Sequence, residues 1–104
     1  MNETDLMNSM RLELSKRGFK VFRANVGKFK LSDGRWFDVG LPKGFSDLFA
    51  CKDGKTYFLE VKVKPNKPSK EQINFINQMR AEGFTAGVVY SVEDAICLTT
   101  QDQI

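Results

Sequence analysis

The segment Ser46-Asp47-Leu48-Phe49-Ala50-Cys51-Lys52-Asp53-Gly54-Lys55-Thr56-Tyr57-Phe58-Leu59-Glu60-Val61-Lys62-Val63-Lys64 sets the architecture of this chain. Two runs rich in aromatic and β-branched residues flank Asp53-Gly54, the dipeptide best suited to a two-residue type I′ turn. A hairpin of strands over 46–52 and 55–64 is therefore expected. Such a turn fixes register: Lys52 faces Lys55, and counting back sets Asp47 directly opposite Glu60. Directly paired residues have Cβ atoms about 4.5–5.5 Å apart, and like charges there repel, so the two carboxylates need compensation. Alternation along the strand puts Lys62 on the Glu60 face, while Leu59, Val61 and Val63 point the other way. Two carboxylates so placed can chelate a divalent cation such as Mg²⁺, which takes one or two carboxylates plus water and phosphate oxygens. Lys62 beside such an ion can orient or help deprotonate a water and offset charge on a phosphorane, as phosphodiester hydrolysis requires. The same residues also suit a solvated strand face on which Glu60 merely pairs with Lys62 or a cross-strand lysine.

On the C-terminal side, Pro65 and Pro68 end the second strand, and Ser69 with Gln72 forms a capping box that opens a helix running to Glu82. Phe75, Ile76 and Met79 mark its buried side, and Gly83 stops it. Ala86 to Tyr90 reads as a short apolar strand of the kind buried in a sheet, and Ser91 with Asp94 opens a last short helix. On the N-terminal side, Leu6, Met7, Met10 and Leu14 give residues 3–17 a helical stripe closed by Gly18, and Phe19 to Arg23 alternates as a strand. Residues 24–45 carry Gly27, Gly34, Gly40 and Gly44, with Asp33-Gly34 as a hairpin tip between 29–31 and 36–39. The order is helix, strand, strand, strand, helix, strand, a mixed α/β layer with an insertion after the first strand.

Composition bounds the chemistry. With 104 residues, 11.8 kDa and nine phenylalanines, the chain suits one folded domain. No run approaches 18 apolar residues and the N-terminus lacks a basic start with an apolar block, so neither a membrane span nor a secretory signal is expected. Cys51 and Cys97 have no metal or redox spacing and fall in apolar stretches, which points to free thiols inside a cell. The absence of histidine excludes His-based nucleophile triads and disfavours many zinc sites. What remains is carboxylates, lysines, hydroxyls and an oxygen-bound hard metal. Of the sixteen basic residues, fourteen lie between 16 and 70, giving a basic middle between acidic ends and so a face suited to nucleic acid. Arg23, Lys28, Lys30, Arg35 and Lys43 are interleaved with Phe29, Trp36 and Phe37, a mixture that can contact phosphates and stack on unpaired bases. The aromatics are equally well suited to covering the core. Lys64, Lys67 and Lys70 extend the basic surface as phosphate-positioning contacts.

Two polar residues share apolar helix faces: Gln72 with Phe75, Ile76 and Met79, and Glu3 with Leu6, Met7 and Met10. Both are expected to point inward, although the capping box can use Gln72 locally and Glu3 can fray at the chain end.

Gly44-Phe45-Ser46-Asp47, then Glu60-Val61-Lys62, then Gln72 at a helix start, resemble the virus-type replication-repair nuclease (VRR-NUC) family of the PD-(D/E)xK nuclease superfamily. The Glu3 helix and Arg23-Ala24-Asn25-Val26-Gly27 are similar too, so the resemblance runs from about Glu3 to Ala95 and rests on the ordered set. It implies a restriction-endonuclease-like core of a mixed sheet flanked by helices, Mg²⁺ or Mn²⁺ dependence, and DNA as substrate. By this resemblance Asp47, Glu60 and the Val61 carbonyl would be metal ligands and Lys62 the catalytic lysine. Glu3 would be an additional metal-binding acid, and Gln72 the family's active-site glutamine. Ser46 stands where the superfamily has its name-giving proline, and Asp5 and Glu13 are alternatives to Glu3. Stand-alone members of phage and bacterial origin resemble Holliday-junction resolvases and act as homodimers.

The expectation is thus one nuclease domain over 1–104, with a core over 3–98 and a basic insertion over 24–44. It would be a metal-dependent, structure-specific DNA endonuclease directed at Holliday-junction or branched DNA, a homodimer in the cytoplasm of a bacterial or phage-infected cell, with no membrane partner. The alternatives are a non-catalytic DNA-binding module on the same fold and, less favoured by the charge pattern, a protein-interaction domain.

Overall fold

The Asp53-Gly54 turn has φ of 53° at Asp53 and 78° at Gly54, the two positive angles that a type I′ turn demands. In this computed structural model it joins β4 (Leu48–Lys52) to β5 (Lys55–Val61), the hairpin at the centre of the molecule. The other elements are α1 (Glu3–Lys16), β1 (Lys20–Arg23), β2 (Lys28–Lys30), β3 (Trp36–Asp38), α2 (Lys70–Ala81), β6 (Thr85–Val89) and α3 (Val92–Thr99). The structure describes residues 1–26, 28–38 and 40–101. Gly27 of the 23–27 segment, Val39 at the expected end of a hairpin strand, and residues 102–104 lie outside the described residues.

The four-stranded sheet has the order β1-β4-β5-β6, and β2 with β3 forms a separate two-stranded sheet. β1, β4 and β5 are antiparallel neighbours, whereas β6 runs parallel to β5. Mixed pairing follows from the connections: a two-residue turn can only reverse the chain, while the 12-residue helix α2 carries it back for a parallel return. β6 is thus an edge strand. Its apolar character has another cause than a central position, since α2 covers one face and α3 the other.

Alternation divides the sheet into two faces. Leu48, Ala50, Tyr57, Leu59, Val61 and Val89 join Leu6, Met7, Met10 and Leu14 of α1 and Ala95 of α3 in one core. Gly87 makes room for this layer, because a Cβ there would meet the Leu98 side chain at 3.3 Å. The opposite face is aromatic. Phe22, Phe49 and Phe58 are successive cross-strand partners, and Phe45, Phe75 and Phe84 complete the cluster at centroid separations of 4.5 to 6.4 Å. Such pairs contribute about 0.5–1.5 kcal/mol each beyond area burial.

The helix starts form as their sequences specify. Asn2 accepts from the Asp5 N–H, Ser91 from the Asp94 N–H, and Ser69 with Gln72 makes the complete capping box, an arrangement whose loss costs about 1 kcal/mol. Both cysteines are free thiols, but Cys97 departs from its expected apolar surroundings and is exposed. Ala95 and Thr99 face the core one helical turn apart, so position 97 between them turns outward. No helix among the described residues is long and apolar enough to cross a membrane.

Candidate active site

Asp47 is the residue before β4, held by two hydrogen bonds of different kinds. Its backbone carbonyl accepts from the Ala24 N–H at 2.8 Å, which ties it to the end of β1. Its carboxylate Oδ2 accepts from the Val61 N–H at 2.9 Å, which ties it to the end of β5. Just before it, the buried Ser46 hydroxyl donates to the Leu48 carbonyl at 3.0 Å and fixes the bend into β4. Serine thus holds locally, through its side chain, a turn that a proline would hold through its ring. Gly44 is equally constrained: its φ is 97°, and a Cβ there would lie 2.5 Å from the Glu71 carbonyl oxygen of α2. Only glycine permits that approach.

The pairing Lys52↔Lys55 through Leu48↔Leu59, continued by one step, sets Asp47 across from Glu60, as the turn requires. Glu60 is 1% exposed, and both carboxylate oxygens are buried without a hydrogen-bond partner. The Lys62 Nζ lies 3.5 Å from Glu60 Oε2, and its side chain is 15% exposed. Burial, followed by the neighbouring Asp47 carboxylate, pushes the Glu60 carboxyl up to about 8, and Lys62 only partly opposes this. Burial and the Asp47 charge thus both favour the protonated form of Glu60, which relieves a costly pair of like charges. A buried carboxyl group beside a second carboxylate, with the Lys62 ammonium no nearer than 3.5 Å, suits a hard divalent cation, whose charge reverses the balance that favours the proton.

Topology brings further residues to this end of the sheet. β1, β5 and β6 finish there and β4 starts there, so Arg23, Asp47, Glu60, Lys62 and Tyr90 line up across the strand ends. An open cleft of about 510 Å³ on the β1 side is lined by Arg23, Ala24, Asn25, Val26, Phe29 and Asp47. A second, of about 380 Å³ on the β6 side, is lined by Lys64, Pro65, Asn66, Lys67 and Tyr90, with the Lys64 Nζ 5.7 Å from the Tyr90 ring centre. Tyr90 and Asn25 escaped the sequence-based set. The parallel β5–β6 pairing that places Tyr90 has no local signal, whereas Asn25 adjoins Arg23 and follows the strand end.

The remaining expected residues divide by place. Lys28 and Lys30 are exposed on β2, and Lys67 and Lys70 are exposed beyond β5. Arg35 is engaged by Asp33 at 2.7 Å, and Lys43 by Glu71 at 3.6 Å, both at the surface. Glu71 is itself held below the usual carboxylate range by its own backbone N–H in the first turn of α2 and then by Lys43. Gln72 spends its Oε1 on the Ser69 N–H at 2.8 Å, so its carbonyl end serves the helix cap. Glu3 lies partly buried in the first turn of α1, on the layer opposite Asp47 and Glu60. Among the described residues no three acidic or thiol side chains converge in a group able to hold a metal. The structure therefore brings Asp47, Glu60, Val61 and Lys62 together and leaves Glu3 and Gln72 outside that cluster.

Comparison with solved structures places this architecture. The chain is similar to one described as "VRR_NUC domain", with a TM-score of 0.68, 22% sequence identity and 95% of each chain covered. No protein-family model matches the sequence, and no curated protein does. The mixed four-stranded sheet flanked by helices is the VRR-NUC, restriction-endonuclease-like fold.

Proposed function

We propose that this chain, with its VRR-NUC fold, is a metal-dependent DNA endonuclease that acts as one nuclease domain on branched DNA, four-way junctions included. The observation that carries the reading is Glu60: a carboxylate buried to 1% exposure, lacking hydrogen-bond partners, set beside Asp47 and 3.5 Å from the Lys62 ammonium. Burying an acid beside a second carboxylate costs stability, and groups so placed cluster at functional sites.

Asp47 and Glu60 would hold a Mg²⁺ or Mn²⁺ ion, with the Val61 carbonyl as a further oxygen donor, while Glu3 stands outside this set. When bound, the ion supplies Lewis acidity, drawing charge from a phosphoryl oxygen and making water a better nucleophile. The Val61 N–H holds the Asp47 carboxylate in one orientation. Lys62 projects from the same strand end, where its ammonium orients the attacking water and offsets the charge that grows on the phosphorane. Gln72 reaches the substrate through its amide nitrogen, since its oxygen is kept by the cap. Arg23, Lys28, Lys30, Arg35, Lys43, Lys64, Lys67 and Lys70 contact phosphates and carry no sequence information. A homodimer would supply two such sites to the two sides of a junction. Two free thiols suit the reducing cytoplasm of a bacterial or phage-infected cell.

The test is incubation of wild type and Glu60→Ala with labelled four-way-junction, flap and linear duplex DNA in Mg²⁺, Mn²⁺ or EDTA. Nicks that need the metal, are strongest on branched DNA and disappear in the variant are expected. Intact DNA in every wild-type lane with a retained gel shift would overturn the catalytic reading and leave a binding module. Cleavage that persists in Glu60→Ala would overturn the site.

A further inference from the structure

The exposed β2–β3 ribbon presents two unlike faces. Phe29 and Phe37 are direct partners in the ladder, with ring centres 5.2 Å apart and planes tilted by 42°. Lys28 and Lys30 stand on the opposite face, where Trp36 is the partner of Lys30. Phe29 remains 52% exposed and Phe37 47% exposed, so this pair does not serve the core. The aromatic face is also the one turned to the site, because Phe29 and Asp47 line the same cleft of about 510 Å³ together with Arg23.

We infer that the Phe29–Phe37 pair is a stacking platform for an unpaired nucleobase next to the phosphate that Asp47 and Glu60 address, an inference that rests on the nuclease reading of those carboxylates. The occupant follows from the chemistry. An exposed aromatic pair bordered by Arg23, with lysines on the other face of the ribbon, attracts a ligand that is aromatic and anionic at once, and a nucleotide is both. A second copy of this basic surface would bring like charge against it. Within duplex DNA the base faces are occupied by their neighbours, so only a base released at a branch, flap or bulge can use the platform. The ribbon thereby makes the enzyme sensitive to strand structure without reading sequence, while Arg23 holds the adjoining phosphate.

The experiment is equilibrium binding in EDTA at low salt, so that cleavage plays no part. It compares a blunt duplex with the same duplex carrying one unpaired 2-aminopurine nucleotide beside a flap. Wild type, Phe29→Ala and Phe29→Trp are measured by anisotropy and by 2-aminopurine emission, with circular dichroism to check the fold. Wild type should prefer the flap DNA and quench the probe. Phe29→Ala should lower the flap-to-duplex affinity ratio about tenfold, as expected for one lost aromatic–base stack, and abolish the quenching. Phe29→Trp should restore both. An unchanged ratio in Phe29→Ala, or an equal loss on both DNAs, would overturn the platform. So would loss of a concentration-dependent dimer in the variant with DNA preference intact, which would make the ribbon an interface between copies. If the ratio and quenching behave as expected while no metal supports cleavage, the platform stands and the nuclease reading falls. Cleavage with an unchanged ratio gives the converse.

Discussion

Two hairpins of this molecule each carry an acid–base pair, and the shorter pair is the less consequential one. On β4–β5 the Lys62 Nζ lies 3.5 Å from Glu60, whereas on the β2–β3 loop the Arg35 Nε lies 2.7 Å from Asp33. The side chains of the first pair are 15% and 1% exposed, those of the second 76% and 50%. Water screens the exposed pair and solvates either partner when the other is lost, so such pairs contribute about 0–1 kcal/mol. Glu60 is too buried for bulk solvent to stand in for a lost partner, so a change at one group is felt by the others. Burial, rather than distance, marks the pair with chemical consequence.

The contrast can be broken most severely at the lysines and arginines themselves. Lys62→Ala should lower single-turnover cleavage by about a hundred- to ten-thousandfold, the range of a lost proton-handling or charge-offsetting group. Arg35→Ala should instead weaken binding to all DNAs alike and reduce the salt slope of the binding constant by about 1. Equal effects of the two substitutions on the cleavage step would erase the distinction.

The supporting residues sharpen it next. Leu59→Ala empties a fully buried position on β5 and should cost about 2–5 kcal/mol in urea unfolding. Phe37→Ala, on the exposed ribbon, should cost less, about 1–3 kcal/mol, from a half-buried ring and its pairing with Phe29.

The folded Glu60 carboxyl titrates at about 8 against an ordinary value of 4.5. Between those values the folded chain keeps a proton that the unfolded chain has released, so the metal-free protein loses stability as pH rises from 4.5 to 8. Unfolding measured in EDTA across that window should show the decline, and Glu60→Gln should flatten it. A wild-type profile as flat as the variant's would mean that Glu60 is ionised in the fold. The smallest effect is reserved for the exposed pair: Arg35→Ala should change stability by less than about 1 kcal/mol by the same method.

The same physical division explains what was legible in the sequence. The β4–β5 hairpin, its register and the Asp47–Glu60 juxtaposition were readable because Asp53-Gly54 and period-two alternation are local and leave one solution. The caps at Asn2, Ser69 and Ser91 and the apolar stripe of α1 are local in the same sense. The β2–β3 ribbon was readable as a hairpin, but the turning of Phe29 towards Asp47 depends on how residues 24–26 leave β1, which no short-range rule fixes. The arrival of β6 beside β5, and with it Tyr90 beside the basic segment, is a long-range pairing across α2. Inward placement was expected for Gln72, and the capping box claimed its oxygen first. Glu3 shares its stripe with Leu6 and Met7, yet a stripe gives a face of the helix and leaves its distance from the other acids undetermined.

The two-residue turn at Asp53-Gly54 has one more consequence, which concerns length rather than composition. Asp47 and Glu60 meet because equal numbers of residues separate each from the tip. A residue inserted there has two fates: it is absorbed at the tip as a bulge, or it propagates along one strand and carries a carboxylate through the sheet to the α1 side. Loop tips are ordinarily where a chain best tolerates added residues. Here the tip acts as a ruler for a site six residues away, so its spelling is freer to drift than its count.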